Sequence, residues 1–214
     1  MKIIDLTLPY NPAMPGVEIE QAKTLAADGW NAQTLHLYSH AGTHMDAPWH
    51  FGVSNQTIDQ LSLDQCIGLC RIADLGAVTP KHLITVEDLG PVADKTGEGD
   101  SLIIKTGWSQ FSGTDKYRHE LPRISEGLAQ WCVEKKIKML GVEPPSVADV
   151  NNLEEVTHIH KILLSGNVTI VEGLTNLSAI EKETFTLIVL PLKIEGGDGA
   201  PARAIALEDQ IENG

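Results

Sequence analysis

This chain is short of positive charge. Lys and Arg together number 16 against 29 Asp and Glu, a formal net charge of -13 at pH 7. Binding a phosphate backbone takes a basic patch. None is visible, which argues against nucleic acid as a partner, and an anionic membrane surface fails on the same ground. The acidic balance favours a neutral or cationic small molecule, or an anion held locally by a metal. Long apolar runs are missing too. No segment approaches the ~20 apolar residues that cross a bilayer. In Ile3-Ile4-Asp5-Leu6, Asp5 interrupts a run already too short for a secretion signal. Cysteine is limited to Cys66, Cys70 and Cys132. An odd count in a chain of this length does not make a disulfide framework, and Cys66 and Cys70 are too few for a closed thiolate zinc site unless histidines join them. All three read as small core hydrophobes in a reducing cytoplasm.

What remains is an ordinary globular composition, 42% hydrophobic and 21% charged over 214 residues, enough for one substantial core. Alternation and β-rich runs predict strands over 2–8, 32–39, 67–75, 101–105, 137–142, 167–172, 184–194 and 200–207. Short helices are expected near Ser62 and Thr85. Longer ones are expected over 126–136, capped by Ser125, and over 152–164, stopped by Gly166. Residues 17–31 are ambiguous, and 107–124 read as a long loop. No linker and no strict βαβ repeat divides the chain, so it reads as one α/β domain spanning 1–214 with a mixed sheet. The turn Gly196-Gly197-Asp198-Gly199 has no helix after it and is not a phosphate loop; it reads as a tight connection between strands, with a substrate-side loop as the alternative.

One stretch concentrates chemistry: Ser39-His40-Ala41-Gly42-Thr43-His44-Met45-Asp46-Ala47-Pro48-Trp49-His50-Phe51. His40, His44, Asp46 and His50 all occupy even positions, which extended backbone would aim to one side. Gly42 and Pro48 oppose a helix there. Imidazole and carboxylate suit zinc, manganese or iron(II), and His40, His44 and Asp46 alone make a facial set with open positions. His50 is either a further ligand or a general acid/base beside the metal. By the same parity Trp49 points away and reads as core packing. His36, His82 and His119 read as ordinary strand or surface histidines.

The segment His40-x-Gly42-Thr43-His44-x-Asp46-x-Pro48-x-His50 resembles the signature of the metal-dependent cyclase family, which includes bacterial-type kynurenine formamidases and isatin hydrolases. Asp5-Leu6-Thr7, Lys105-Thr106-Gly107, Gly141-Val142-Glu143-x-Pro145-Ser146, His160-x-x-Leu163-Leu164, Val171-Glu172 and Gly197-Asp198-Gly199-x-Pro201-x-Arg203-Ala204 extend the likeness over nearly the whole chain. The resemblance implies a swivelling β/β/α fold and hydrolysis of the C–N bond of a linear or cyclic amide by metal-activated water. It implies zinc or manganese, one or two ions per chain. His40, His44 and Asp46 would hold one ion. Asp46, His160 and Glu172 would complete a second position, with Glu172 bridging. His50 would be the general acid/base. It also implies a homodimer or homotetramer in which subunits exchange residues at the active site, for which 107–124 is the candidate segment. Residues alone would have left His160 on a helix face and Glu172 at a strand end, and His158 is a neighbour that points elsewhere. One departure stands out. The formamidases carry Trp-Pro-Gly-Asp near the first loop, whereas this chain has Met14-Pro15-Gly16-Val17. Trp30 or Trp49 would then have to supply an aromatic wall. A catalytically silent metal-binding protein is the competing reading.

Overall fold

The computed structural model describes residues 1–208. In chain order the strands are β1 (Lys2–Asp5), β2 (Val17–Lys23), β3 (Ala32–Leu37), β4 (His44–Asp46), β5 (Ile67–Asp74), β6 (Leu83–Ile84), β7 (Ser101–Lys105), β8 (Arg123–Ile124), β9 (Met139–Val142), β10 (Thr169–Glu172), β11 (Thr184–Pro191) and β12 (Gly199–Glu208). The α-helices are α1 (Leu25–Asp28), α2 (Pro91–Lys95), α3 (Asp115–His119), α4 (Glu126–Glu134) and α5 (Leu153–Ser165). Eight strands form one mixed sheet in the order β1-β12-β11-β5-β7-β9-β10-β4. β4 also pairs with β12, so the sheet curls round and closes on itself. Within this sheet β5, β7, β9 and β10 run parallel and the other pairings are antiparallel.

This closure explains two kinds of strand in the sequence. β9 and β10 are buried on both faces, so they carry no polar alternation. β11 is buried at alternate residues, as expected of a sheet with one wet face. Along β7 the pleat divides the core: Ile103 joins Ile4, Met45 and Leu187 inside the closed sheet, while Leu102 and Ile104 meet Leu128, Cys132, Ile159 and Leu163 of α4 and α5. Both helices start as their sequence requires. The Ser125 side chain accepts from the Leu128 N–H, and Asn152 accepts from the Glu155 N–H. The three cysteines are buried free thiols.

Several expectations are corrected. Residues 17–37 form a separate β2–β3 hairpin around α1. The 107–124 segment is not a bare loop: it holds a 3-10 turn at Trp108–Phe111, α3 and β8. Trp49 is exposed rather than packed in the core. The 3-10 turn Pro48–Phe51 replaces the period of two with a period of three, so residue parity no longer predicts direction there.

Candidate metal centre

β4 is the strand on which the sheet closes. Its register sets Glu172 of β10 directly opposite His44 on one edge and Gly199 of β12 opposite Asp46 on the other. Opposed residues in antiparallel strands project side by side, so strand pairing alone puts the Glu172 carboxylate against the His44 ring. His44 and Asp46 share a face, as their spacing requires. Extended backbone accounts for only this pair. His40 sits in the turn before Gly42, whose φ is +60°, and His50 in the 3-10 turn that Pro48 opens. His160 arrives from the buried face of α5. Thr43 clamps the assembly: its buried Oγ1 accepts from the Leu8 N–H (2.8 Å) and donates to the Gly173 carbonyl (2.6 Å), next to Glu172. Gly173 has φ +70°, and a Cβ there would run into the Gly42 carbonyl.

The other five expected residues gather around Asp46. Its Oδ1 is 3.0 Å from His40 Nδ1 and 3.7 Å from His44 Nε2; its Oδ2 is 3.5 Å from His160 Nε2. The two Glu172 oxygens face different rings, Oε2 at 3.1 Å from His44 Nε2 and Oε1 at 3.3 Å from His160 Nε2. The Val147 N–H also donates to Glu172 Oε1 at 2.7 Å. The His50 ring stacks on His40 with centroids 3.9 Å apart and meets Phe51 edge-on, while Phe51 stacks on His160 at 4.5 Å. Donor atoms of His44, Asp46 and Glu172 lie within 4.8 Å of one another, and so do those of His40, Asp46 and His50.

The electrostatics ask for a cation. His44 Nδ1 donates to the Gly42 carbonyl (3.0 Å) and His160 Nδ1 to the Val156 carbonyl (2.6 Å). Carbonyls only accept, so Nδ1 carries a proton in both rings and Nε2 is the atom each turns toward carboxylate oxygens. This is the outer-shell arrangement that orients metal-binding histidines. Burial opposes charging His160, but Glu172 and Asp46 outweigh it and raise its pKa. His44 Nε2 and Asp46 Oδ2 are buried without hydrogen-bond partners; the 3.1 Å approach of Glu172 to His44 is close but poorly aligned. Such orphaned atoms are costly unless something positive joins them. Burial opposes charging His40, yet Asp46 and Asp198 on either side outweigh it and carry its pKa up to about 9. Burial likewise opposes ionising Glu172, but His160 and His44 hold its carboxyl well below the usual carboxylate range. Three imidazoles and two carboxylates around these orphaned atoms fit a divalent cation. His50 behaves differently: burial pushes its pKa down, and His40 and His160 add to that against Asp46 and Asp198.

The family model described as Cyclase matches residues 4–149. A kynurenine formamidase from Salinibacter ruber is 31% identical over 96% of this chain and 97% of its own length. The chain belongs to the cyclase family. Among solved structures, a potential metal-dependent hydrolase with cyclase activity is 26% identical, covers 98% of both chains and has a TM-score of 0.79. An isatin hydrolase bound to the product analogue thioisatinate superposes with a TM-score of 0.88 over 98% of this chain and 93% of its own, at 24% identity, and so shares the fold.

Within this cyclase-family site, Asp198 and Phe51 were not singled out from the sequence. Asp198 Oδ2 lies 2.9 Å from His40 Nε2 and 3.3 Å from His50 Nδ1. The only local signal for it was a glycine-rich turn. A cavity of about 430 Å³ opens beside His40, bordered by Met14, Pro15, Tyr38, Tyr117 and Arg118. Met14, in the place of the formamidase tryptophan, is thus a cavity wall, whereas Trp30 and Trp49 do not line it. The 112–119 segment borders the cavity of its own chain. His158 pairs with Glu126 at the surface, and His36 with Glu20.

Proposed function

We propose that this chain is a metal-dependent hydrolase that cleaves the C–N bond of a linear or cyclic amide, in the manner of an arylformamidase. The observation that carries the reading is the convergence of His40, His44, Asp46, His160 and Glu172 around orphaned polar atoms, with a sixth group, His50, kept neutral beside them. His40, His44, Asp46, His160 and Glu172 are assigned as metal ligands. Zinc and manganese both suit this donor set. Asp46 turns one oxygen to His40 and the other to His160, and Glu172 one to His44 and the other to His160, which supports two ions per chain as readily as one. When bound, such an ion supplies Lewis acidity toward a carbonyl oxygen and lowers the pKa of water at the site.

The chain's own groups supply the rest. His50 is the proton carrier: neutral at pH 7 by burial, it takes a proton from the attacking water and returns it to the departing nitrogen. Stacking on His40 and the edge of Phe51 fixes its ring plane. The cavity beside His40 takes the organic part of the amide, and Phe51 keeps solvent off the His160 side. A histidine kept neutral beside the cluster argues against a silent metal-binding protein. Met14 in place of the aromatic residue favours keeping cyclic amides of the isatin type as the second reading.

We also infer one catalytic domain over 1–214, a cytoplasmic location consistent with three free thiols, and a homodimer or homotetramer. Residues 209–214 lie outside the described structure. The β2–β3 hairpin supports the assembly. It holds only two strands and exposes Leu25, Trp30 and Leu35, and a two-stranded hairpin needs further packing for stability.

The test is hydrolysis of N-formylkynurenine and of isatin by zinc- or manganese-loaded protein, with His50→Ala as the blank. Turnover of either compound that vanishes in His50→Ala while metal content stays at the parent level is expected. Full metal loading with no turnover of any linear or cyclic amide would establish the silent binder instead. Large metal loss in His50→Ala would make His50 a ligand.

A further inference from the structure

The turn between β11 and β12 is pinned on both segments that carry the site. The Ala47 N–H, one residue after Asp46, donates to the Asp198 carbonyl at 2.9 Å. The Ile58 N–H, beyond His50, donates to the Gly197 carbonyl at 2.9 Å, and the Gly196 N–H donates to Asp59 Oδ1 at 3.1 Å. The glycines on either side of Asp198 allow this fit. A Cβ at Gly197 would press on Ile58, and one at Gly199 would press on the His40 ring and the Met45 carbonyl. The backbone of Asp198 is therefore fixed relative to β4 and to the 3-10 turn of His50. Its carboxylate, a third exposed, reaches both rings through the single oxygen Oδ2.

We propose that Asp198 is the positioning residue of this site, one carboxylate oxygen orienting both a metal-ligand ring and the proton-carrying ring. Toward His40, Oδ2 accepts the Nε2 proton and leaves Nδ1 to face Asp46 Oδ1 at 3.0 Å, the direction of the ligand cluster. Toward His50, Oδ2 faces Nδ1 at 3.3 Å and leaves Nε2 as the working nitrogen. A carboxylate behind a ligating histidine is a common outer-shell device, and a carboxylate behind a proton-carrying histidine fixes its tautomer. Here the same atom serves both, which accounts for the 27° stacking of the two rings. The inference rests on the roles given above to His40 and His50, and its first readout is independent of any substrate.

The experiment compares the parent, Asp198→Asn and Asp198→Glu in three measurements. Zinc affinity is read by competition with a chromophoric chelator. Thermal melting is followed on zinc-free protein. The steady-state constants are taken at saturating zinc on whichever amide the parent turns over. Asp198→Asn should weaken zinc binding about 10- to 100-fold. At saturating zinc its kcat should still be about tenfold or more below the parent, with KM little changed. Its zinc-free melting temperature should match the parent, and Asp198→Glu should recover part of the zinc affinity. Zinc affinity in Asp198→Asn within about twofold of the parent would overturn the proposal, as would a lowered melting temperature with zinc affinity intact, which is the signature of a purely structural turn residue. Should the parent hydrolyse no amide, the functional reading fails alone and the zinc and melting data still decide the role of Asp198.

Discussion

Thr43→Val is the sharpest test of how the site is built. Valine keeps the shape of threonine and removes only the hydroxyl. That hydroxyl is fully buried and makes two bonds, from the Leu8 N–H at 2.8 Å and to the Gly173 carbonyl at 2.6 Å. Both main-chain partners would be left buried and unpaired, at about 1–3 kcal/mol each, so the loss should be about 2–6 kcal/mol. For a domain of this size each kcal/mol moves Tm by about 2–4 °C. Zinc-free Thr43→Val should therefore melt roughly 4–24 °C below the parent, followed by circular dichroism. Thr43→Ser is the control: it keeps both bonds and loses one buried methyl, about 1 kcal/mol. Because Thr43 precedes His44 and Gly173 follows Glu172, the valine variant should also bind zinc more weakly, and the serine variant should not. A valine variant melting within about 2 °C of the parent, or no less stable than the serine variant, would refute the clamp.

Glu143→Ala should cost about 3–5 kcal/mol by urea denaturation, because the Glu143 carboxylate accepts from the Thr106 and Trp108 N–H groups and from the Thr106 and Ser109 hydroxyls. Those bonds brace the segment that borders the cavity, so KM should rise by a larger factor than kcat falls. Stability should also carry a pH signature from Glu208. Burial raises the cost of its charge, but the Lys182 and Glu181 N–H groups and the Lys2 ammonium hold its pKa below the ordinary 4.5. A depressed folded-state pKa means that stabilisation is complete above the unfolded value of 4.5 and is lost as pH falls through the folded value. Glu208→Gln should be about 1–2 kcal/mol less stable than the parent at pH 7, and denaturation midpoints of the two proteins should converge as the pH falls below 4.5.

What was legible in the sequence was local. His40, His44, Asp46 and His50 lie within one short stretch, and polar groups that crowd so closely announce a site before any fold is known. Strands buried on both faces, such as β9 and β10, were equally plain from their apolar runs. What was hidden depends on register between distant segments. Glu172 becomes a site residue only because β10 pairs with β4 in one register, and Asp198 only because β12 takes the other edge. Family resemblance recovered Glu172 and His160, but nothing local distinguished Asp198 from a turn residue. Trp49 was misplaced for a different reason: Pro48 starts a 3-10 turn, and a rule of two residues per repeat fails as soon as the backbone leaves the strand. The α3 helix escaped because five residues show no helical period; its one signal is Thr114, whose side chain accepts from the Tyr117 N–H.

The hidden residues share a cause that ties the fold to the chemistry. β4 is only three residues long and is hydrogen-bonded on both edges, to β10 and to β12. Three residues of pairing are a weak seam for closing a sheet, and this one also brings buried carboxylates and imidazoles into the core. Two atoms at the seam, His44 Nε2 and Asp46 Oδ2, are buried without hydrogen-bond partners, and Glu172 Oε2 stands 3.1 Å from the first of them. A cation joining them would act on the closure itself, drawing β10 onto β4, while the turn carrying Asp198 holds β12 against the other edge. The site is thus not a decoration on a finished barrel. The strand that completes the sheet and the strand that collects the ligands are the same strand, which is why the residues that matter most to the chemistry come from segments so far apart in the chain.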